Sequence, residues 1–239
     1  MHNTPGHGTS MLAILLYYGS RVEECRLELG GFMTTAVGDP SAGLVVIVLH
    51  GRGMSGADLA PFAHSLGIPA YFVFPDAPLP NGRGHSWWPV DAEARERRLS
   101  EGPMEFSAMD PPGRAEARAQ LDALLGQFDS RRCVLVGFSQ GGMLAMDSVL
   151  HGRRVAGLAL LSSTRIAFDD WQPRLRCLAG VSVLVAHGRL DAELAFAAGE
   201  GLRDAAIMGG AEVSWVPFDG GHEIPLVVWR ALRQFLRRI

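Results

Sequence analysis

The chain has 239 residues, 48% hydrophobic and 20% charged, which is enough apolar material for one compact domain with a sizeable core. All 22 basic residues are Arg, so the chain lacks the amine needed for a pyridoxal-phosphate Schiff base, a Walker lysine, a kinase ATP lysine or a Ser-Lys dyad. A formal charge of -3 argues against a protein whose task is to neutralise phosphates, and no nucleic-acid partner is expected.

Residues 1–20 read as an N-terminal extension without an assigned role, and 21–239 as a single domain. The apolar run Met11 to Tyr18 is too short to span a bilayer and no Lys or Arg precedes it, so neither stable membrane insertion nor a signal peptide is expected. From Cys25 onward, short β-branched runs alternate with segments of helical period, the pattern of an α/β sheet. Residues 25–29 and 33–37 suit an antiparallel hairpin. Leu44 to Leu49, Ala70 to Phe74, Cys133 to Val136, Leu158 to Leu161 and Val181 to Ala186 are continuous apolar runs, as strands buried on both faces of a parallel sheet require. Glu212 to Phe218 reads as the last strand.

Between Leu79 and Met109 the chain shows no clear period and is rich in Gly, Pro, Trp and Met; residues 79–110 are expected to form a lid or pocket loop. Asp110 followed by Pro111 predicts a helix start, carried on by Ala117, Leu121, Leu124, Leu125 and Phe128. A second helix is expected from about Ala192 to Met208, stopped at Gly209-Gly210. A third, from Pro225 to Arg238, places Val228, Leu232, Phe235 and Leu236 on one face.

The chemistry concentrates in four places. Gly137-Phe138-Ser139-Gln140-Gly141-Gly142 lies between a strand and a helical run, the context a G-x-S-x-G elbow needs. Small residues two positions either side of the serine are required because the chain turns so sharply that a side chain would clash. An elbow serine needs a base and an orienter, in the chain order Ser, acid, His. His222, in the loop Asp219-Gly220-Gly221-His222-Glu223 before the last helix, is the candidate base, whereas His187 ends a buried strand and reads as structural. Asp191, just past a strand end, is the candidate acid ahead of Asp169, Asp170, Glu193 and Asp219. The loop His50-Gly51-Arg52-Gly53 would supply one oxyanion N–H through Arg52, and Gln140 the second.

That loop has a competing reading. Gly51, Gly53 and Gly56 satisfy G-x-G-x-x-G, and Asp76 lies twenty residues beyond Gly56, the dinucleotide-binding fingerprint of an NAD-dependent oxidoreductase. It leaves the elbow and the His222 loop unexplained. A third reading is a ligand receptor without catalysis.

Taken together, the His50 loop, Pro75-Asp76-Ala77-Pro78, Trp87-Trp88, the Ser139 elbow, His187-Gly188 with Asp191, and Gly220 to Pro225 resemble the phospholipase/carboxylesterase family of α/β-hydrolases, which includes acyl-protein thioesterases. The resemblance runs from about Cys25 to the carboxyl end. It implies a mostly parallel central sheet with helices on both faces, a triad of Ser139, Asp191 and His222, and an oxyanion hole at Arg52 and Gln140. It implies hydrolysis of carboxylic esters of short to medium acyl chain, or of thioesters or lysophospholipids with the same triad. The substrate would be a small molecule, with no cofactor and no metal. Trp87, Trp88, Met104, Phe106, Met109, Phe168 and Trp171 are the candidates for an apolar acyl pocket. Three scattered cysteines without a C-x-x-C pair suit a reducing, cytoplasmic compartment. Whether the chain forms a homodimer stays open.

Overall fold

The computed structural model describes residues 24–239, and the N-terminal extension with its Met11–Tyr18 run lies outside the described residues. In chain order the elements are β1 (Glu24–Leu29), β2 (Phe32–Val37), β3 (Leu44–Leu49), α1 (Gly56–Leu59), α2 (Pro61–Leu66), β4 (Tyr71–Pro75), β5 (Leu79–Asn81), β6 (Gly84–Ser86), α3 (Ala92–Ser100), α4 (Arg114–Gly126), β7 (Arg132–Phe138), α5 (Gln140–Leu150), β8 (Gly157–Leu161), α6 (Phe168–Trp171), β9 (Ser182–Gly188), α7 (Phe196–Met208), β10 (Glu212–Phe218) and α8 (Leu226–Arg238). A 3-10 helix, Gln172–Leu178, follows α6.

Eight strands form one sheet in the order β1-β2-β4-β3-β7-β8-β9-β10. The leading hairpin is antiparallel, as its sequence suggests, and β2 joins β4 antiparallel. Every pair from β4 through β3, β7, β8 and β9 to β10 is parallel. The continuous apolar runs have the stated cause. Along β3, Val45, Ile47 and Leu49 face one layer and Val46 and Val48 the other, so no position is left for a polar side chain. The first layer packs on α4, α5 and α7 through residues such as Leu121, Leu144 and Leu202. The second packs on α1, α2 and α8 through Leu59, Leu66, Val228 and Leu232. Pro217 is accommodated because β10 is an edge strand bonded to β9 alone.

Two expectations need correction. The helix expected at Asp110-Pro111 begins at Arg114, with Gly113 as its N-cap at φ 80°. Asp110 instead accepts an ion-paired hydrogen bond from Arg114 Nε at 2.8 Å. The second expected helix starts at Phe196, because Asp191 turns its carboxylate onto the amides of Glu193 and Leu194 and holds that stretch as a loop. The aperiodic stretch after Leu79 contains the small hairpin β5-β6 and helix α3. No residue of α3 is buried, and so its sequence carries no apolar stripe to announce it.

Candidate active site

Parallel strands bring their carboxyl ends to one edge of the sheet, where ligands bind in open α/β folds. Ser139 follows β7, Asp191 follows β9 and His222 follows β10, so three residues far apart in sequence meet at that edge. The serine sits at the N-cap of α5 with φ 52° and ψ -118°, a strained backbone held by its surroundings. A Cβ on Gly137 would come within 2.4 Å of the Gly141 carbonyl oxygen and Gly142 Cα, and one on Gly141 within 2.4 Å of the Leu49 carbonyl oxygen. Those contacts are the physical reason for glycine on both sides of the serine. Ser163 Oγ donates to the Ser139 carbonyl at 3.0 Å, and Ser162 Oγ donates to the Glu223 carbonyl at 3.2 Å. These two buried serines after β8 anchor the elbow and the histidine loop. Nothing in their sequence sets them apart from ordinary turn residues.

Ser139 Oγ lies 2.9 Å from His222 Nε2, and His222 Nδ1 lies 2.7 Å from Asp191 Oδ2. With the proton on Nδ1, the imidazole donates to the carboxylate and its Nε2 accepts from the serine hydroxyl. The other Asp191 oxygen accepts from the main-chain N–H groups of Glu193 and Leu194 at 2.8 and 2.9 Å. Burial opposes ionisation of Asp191, but the hydrogen bonds from His222 and the two amides outweigh it and hold the carboxyl below the ordinary aspartate value. The Phe138 ring packs against the imidazole at 5.0 Å between centroids. His187, fully buried at the end of β9, bonds the Leu194 carbonyl at 3.1 Å through Nε2, and burial keeps its pKa low. It supports the acid's loop, the structural place its sequence position suggests.

The Arg52 loop is held by devices that sequence reading missed. His50 is buried. Its Nε2 accepts from Ala77 N–H at 3.0 Å, so Nδ1 carries the proton that goes to the Gly51 carbonyl at 2.7 Å. Burial favours that neutral ring. On the other side, β6 clamps the loop: Gly53 N–H donates to His85 and His85 N–H to Met54. The main-chain N–H groups of Arg52 and Gln140 have no acceptor among the described residues. The Gln140 side chain faces away, accepting from Trp87 N–H at 2.9 Å.

A cavity of about 500 Å³ opens above Ser139 and His222, lined by Gly51, Arg52 and Gln140 and by an apolar wall that includes Trp88, Met104, Phe106, Met109 and Met143. Three of the predicted pocket aromatics lie elsewhere. Trp87 is beneath the floor, its Nε1 donating to the His50 carbonyl at 2.8 Å and its ring edge-on to Phe32. Trp171 is fully buried against α5, where its Nε1 meets Asp147 Oδ1 at 2.7 Å in a network with Arg114 and Arg118. Phe168 stacks under the Arg165 guanidinium, 4.8 Å from its ring centroid. Met54, Val90, Pro111 and Pro112 line the cavity without having been singled out from sequence.

The dinucleotide reading does not survive this geometry. Asp76 is buried, with Oδ1 accepting from Gly56 N–H at 2.8 Å and Oδ2 paired with Arg26 at 2.5 Å. Both the carboxylate meant for a ribose and an amide of the glycine loop are spent inside the fold.

Residues 32–239 match the family model described as Phospholipase/Carboxylesterase. The chain belongs to the phospholipase/carboxylesterase family. It is a carboxylesterase-type hydrolase with the mostly parallel α/β-hydrolase sheet that its motifs resembled. Among solved structures, esterase PE8 is 27% identical, with a TM-score of 0.71 over 85% of this chain and 97% of the other. A carboxylesterase from Mesorhizobium loti, 20% identical, superposes with a TM-score of 0.70 over 90% of this chain and 98% of its own. Zea mays acyl-protein thioesterase 2, 18% identical, gives 0.71 over 87% and 98%. At these lower identities the likeness is one of fold. No curated protein matches the hydrolase in sequence. Among its described residues no helix is long and apolar enough to cross a membrane.

Proposed function

We propose that this hydrolase cleaves carboxylic esters of short to medium acyl chain through an acyl-enzyme on Ser139. The observation that carries the reading is the unbroken chain from Ser139 Oγ to His222 at 2.9 Å and from His222 to Asp191 at 2.7 Å. His222 Nε2 takes the hydroxyl proton as Ser139 Oγ bonds to the carbonyl carbon. The carbonyl oxygen becomes an oxyanion that accepts from the N–H groups of Arg52 and Gln140, each such donor worth about 3 to 4 kcal/mol in comparable sites. Collapse expels the alkoxide, which leaves with the proton from His222. Water then repeats the sequence on the acyl-enzyme and restores Ser139. Asp191 keeps the imidazole in the productive tautomer and faces the imidazolium that forms in each step.

The same atoms would serve a thioester, since only the leaving group changes. The apolar wall of the 500 Å³ cavity supports an acyl chain of limited length over a polar one. The scattered cysteines support a cytoplasmic setting. The test is Ser139→Ala assayed on p-nitrophenyl butyrate, with circular dichroism as the control for folding. A kcat lower by about a million-fold is expected, the scale seen when a triad serine is removed. Substantial hydrolysis by the folded variant would overturn the reading.

A further inference from the structure

The cavity above Ser139 has an apolar wall and a cationic rim, and its hydrogen-bonding groups do not balance. Three guanidinium groups line it: Arg52, rooted in the oxyanion loop, and Arg95 and Arg98 on α3. Two carboxylates line it as well, and both are already engaged. Asp91 caps α3 by accepting from Ala94 N–H at 2.9 Å. Glu193 is ion-paired with Arg95. Among the described residues, the remaining cations have only neutral partners. Arg52 Nη1 donates to Asn81 Oδ1 at 3.3 Å, and Arg98 Nη1 lies 3.9 Å from Met109 Sδ. Partial burial and the nearby Arg95 charge press the Arg52 pKa down against a smaller opposing pull from Glu193, whose carboxylate is paired with Arg95. This guanidinium is thus held at the cavity with no carboxylate hydrogen-bonded to it among the described residues.

A planar guanidinium with unused N–H groups is built to take a carboxylate through two parallel hydrogen bonds, and such bonds strengthen when water is partly excluded. We propose that the substrates of this hydrolase are esters carrying a second, ionised carboxylate, which Arg52 and Arg98 bind at the cavity rim while the ester carbonyl lies in the oxyanion hole. This inference rests on the ester-hydrolase reading of Ser139 and adds the charge of the substrate to it. An apolar wall with charged groups gathered at one end suits a molecule whose reacting part is uncharged and whose far end is anionic.

The test compares matched pairs of substrates at low ionic strength. One pair places the carboxylate on the acyl side: mono-p-nitrophenyl glutarate against p-nitrophenyl hexanoate. The other places it on the alcohol side: the butyrate ester of gamma-hydroxybutyrate against pentyl butyrate, followed by proton release. In at least one pair kcat/KM should favour the anionic member by about tenfold or more, the scale of one charge-assisted hydrogen bond. Added NaCl should shrink that preference, and Arg98→Gln and Arg52→Gln should each reduce it several-fold. Arg98 is exposed on α3, so its replacement reports on binding even if Arg52→Gln perturbs the loop. Equal or lower kcat/KM for the anionic member in both pairs, or a preference that survives both variants, would overturn the proposal. Ser139→Ala separates the two readings. If turnover depends on Ser139 but shows no charge preference, only the carboxylate proposal fails, whereas turnover that persists without Ser139 defeats the hydrolase mechanism.

Discussion

The elbow around Ser139 and the segment 91–110 over it are neighbours at the same cavity, yet they are held in opposite ways. Gly137 and Gly141 have no room for a single added carbon, and every residue of α5 behind them is buried. Helix α3 buries no residue at all. Its segment is fastened by the Arg95–Glu193 pair and by main-chain bonds from Met104 to Glu193 and from Ala195 to Met104. Ser139, Asp191 and His222, which the proposed mechanism needs in line, each follow a strand of the closely packed sheet. The groups that segment 91–110 adds to the cavity lining, such as Arg95, Arg98 and Phe106, stand on a structure fixed by a few polar contacts, where sequence can change at small cost.

That contrast can be broken at either end. The largest effect is expected from Asp191→Asn, which preserves shape but offers a donor where His222 needs an acceptor. A loss of about ten-thousand-fold in kcat is the scale for a wrong tautomer, and a loss below tenfold on p-nitrophenyl butyrate would remove Asp191 from the mechanism. Next, Gly137→Ala should lower stability by roughly 3 to 5 kcal/mol in urea unfolding, because its Cβ meets backbone that cannot move aside. Arg97→Ala on α3, losing only an exposed contact with Glu93 at 3.9 Å, should change stability by about 0.5 kcal/mol or less. Similar values for the two would mean that the regions are not held differently.

Phe106→Ala, in the cavity wall contributed by the segment, should leave the fold intact. It should reduce kcat/KM for medium-chain esters by about tenfold relative to acetate esters. An unchanged chain-length profile would mean that the wall does not select. The smallest expected effect is in acid. Because the folded pKa of Asp191 lies below its ordinary value, its contribution to stability is complete above that value and disappears as the pH falls through the folded one. Unfolding midpoints measured below about pH 4 should therefore drop more steeply for the wild type than for Asp191→Asn. Parallel curves would mean that the carboxylate is not held by its partners.

What could be read from the sequence follows the same division. The strands announced themselves because burial on both faces leaves an uninterrupted apolar run. The elbow was legible because its turn demands glycine at fixed positions. Asp191 and His222 were legible through their order and their places after strand ends. The cavity wall was legible only in part, since Trp88, Met104, Phe106 and Met109 line it but Trp87, Phe168 and Trp171 do not. Trp87, Trp88 and Trp171 are all buried, and composition cannot tell a ring that faces a cavity from one that props a loop or closes a charge network. Helix α3 was missed because a solvated helix has no apolar face. The supporting roles of His50, Ser162 and Ser163 depend on hydrogen bonds to backbone distant in sequence, which no local pattern encodes.

The central claim is that one serine, activated by His222, does the chemistry. Labelling the folded protein with a fluorophosphonate and mapping the adduct by peptide mass spectrometry tests it most directly. The account predicts one adduct, on Ser139 Oγ, formed at a rate that collapses in Asp191→Asn. An adduct on any other residue, or an unlabelled Ser139 in protein that still hydrolyses esters, would contradict it.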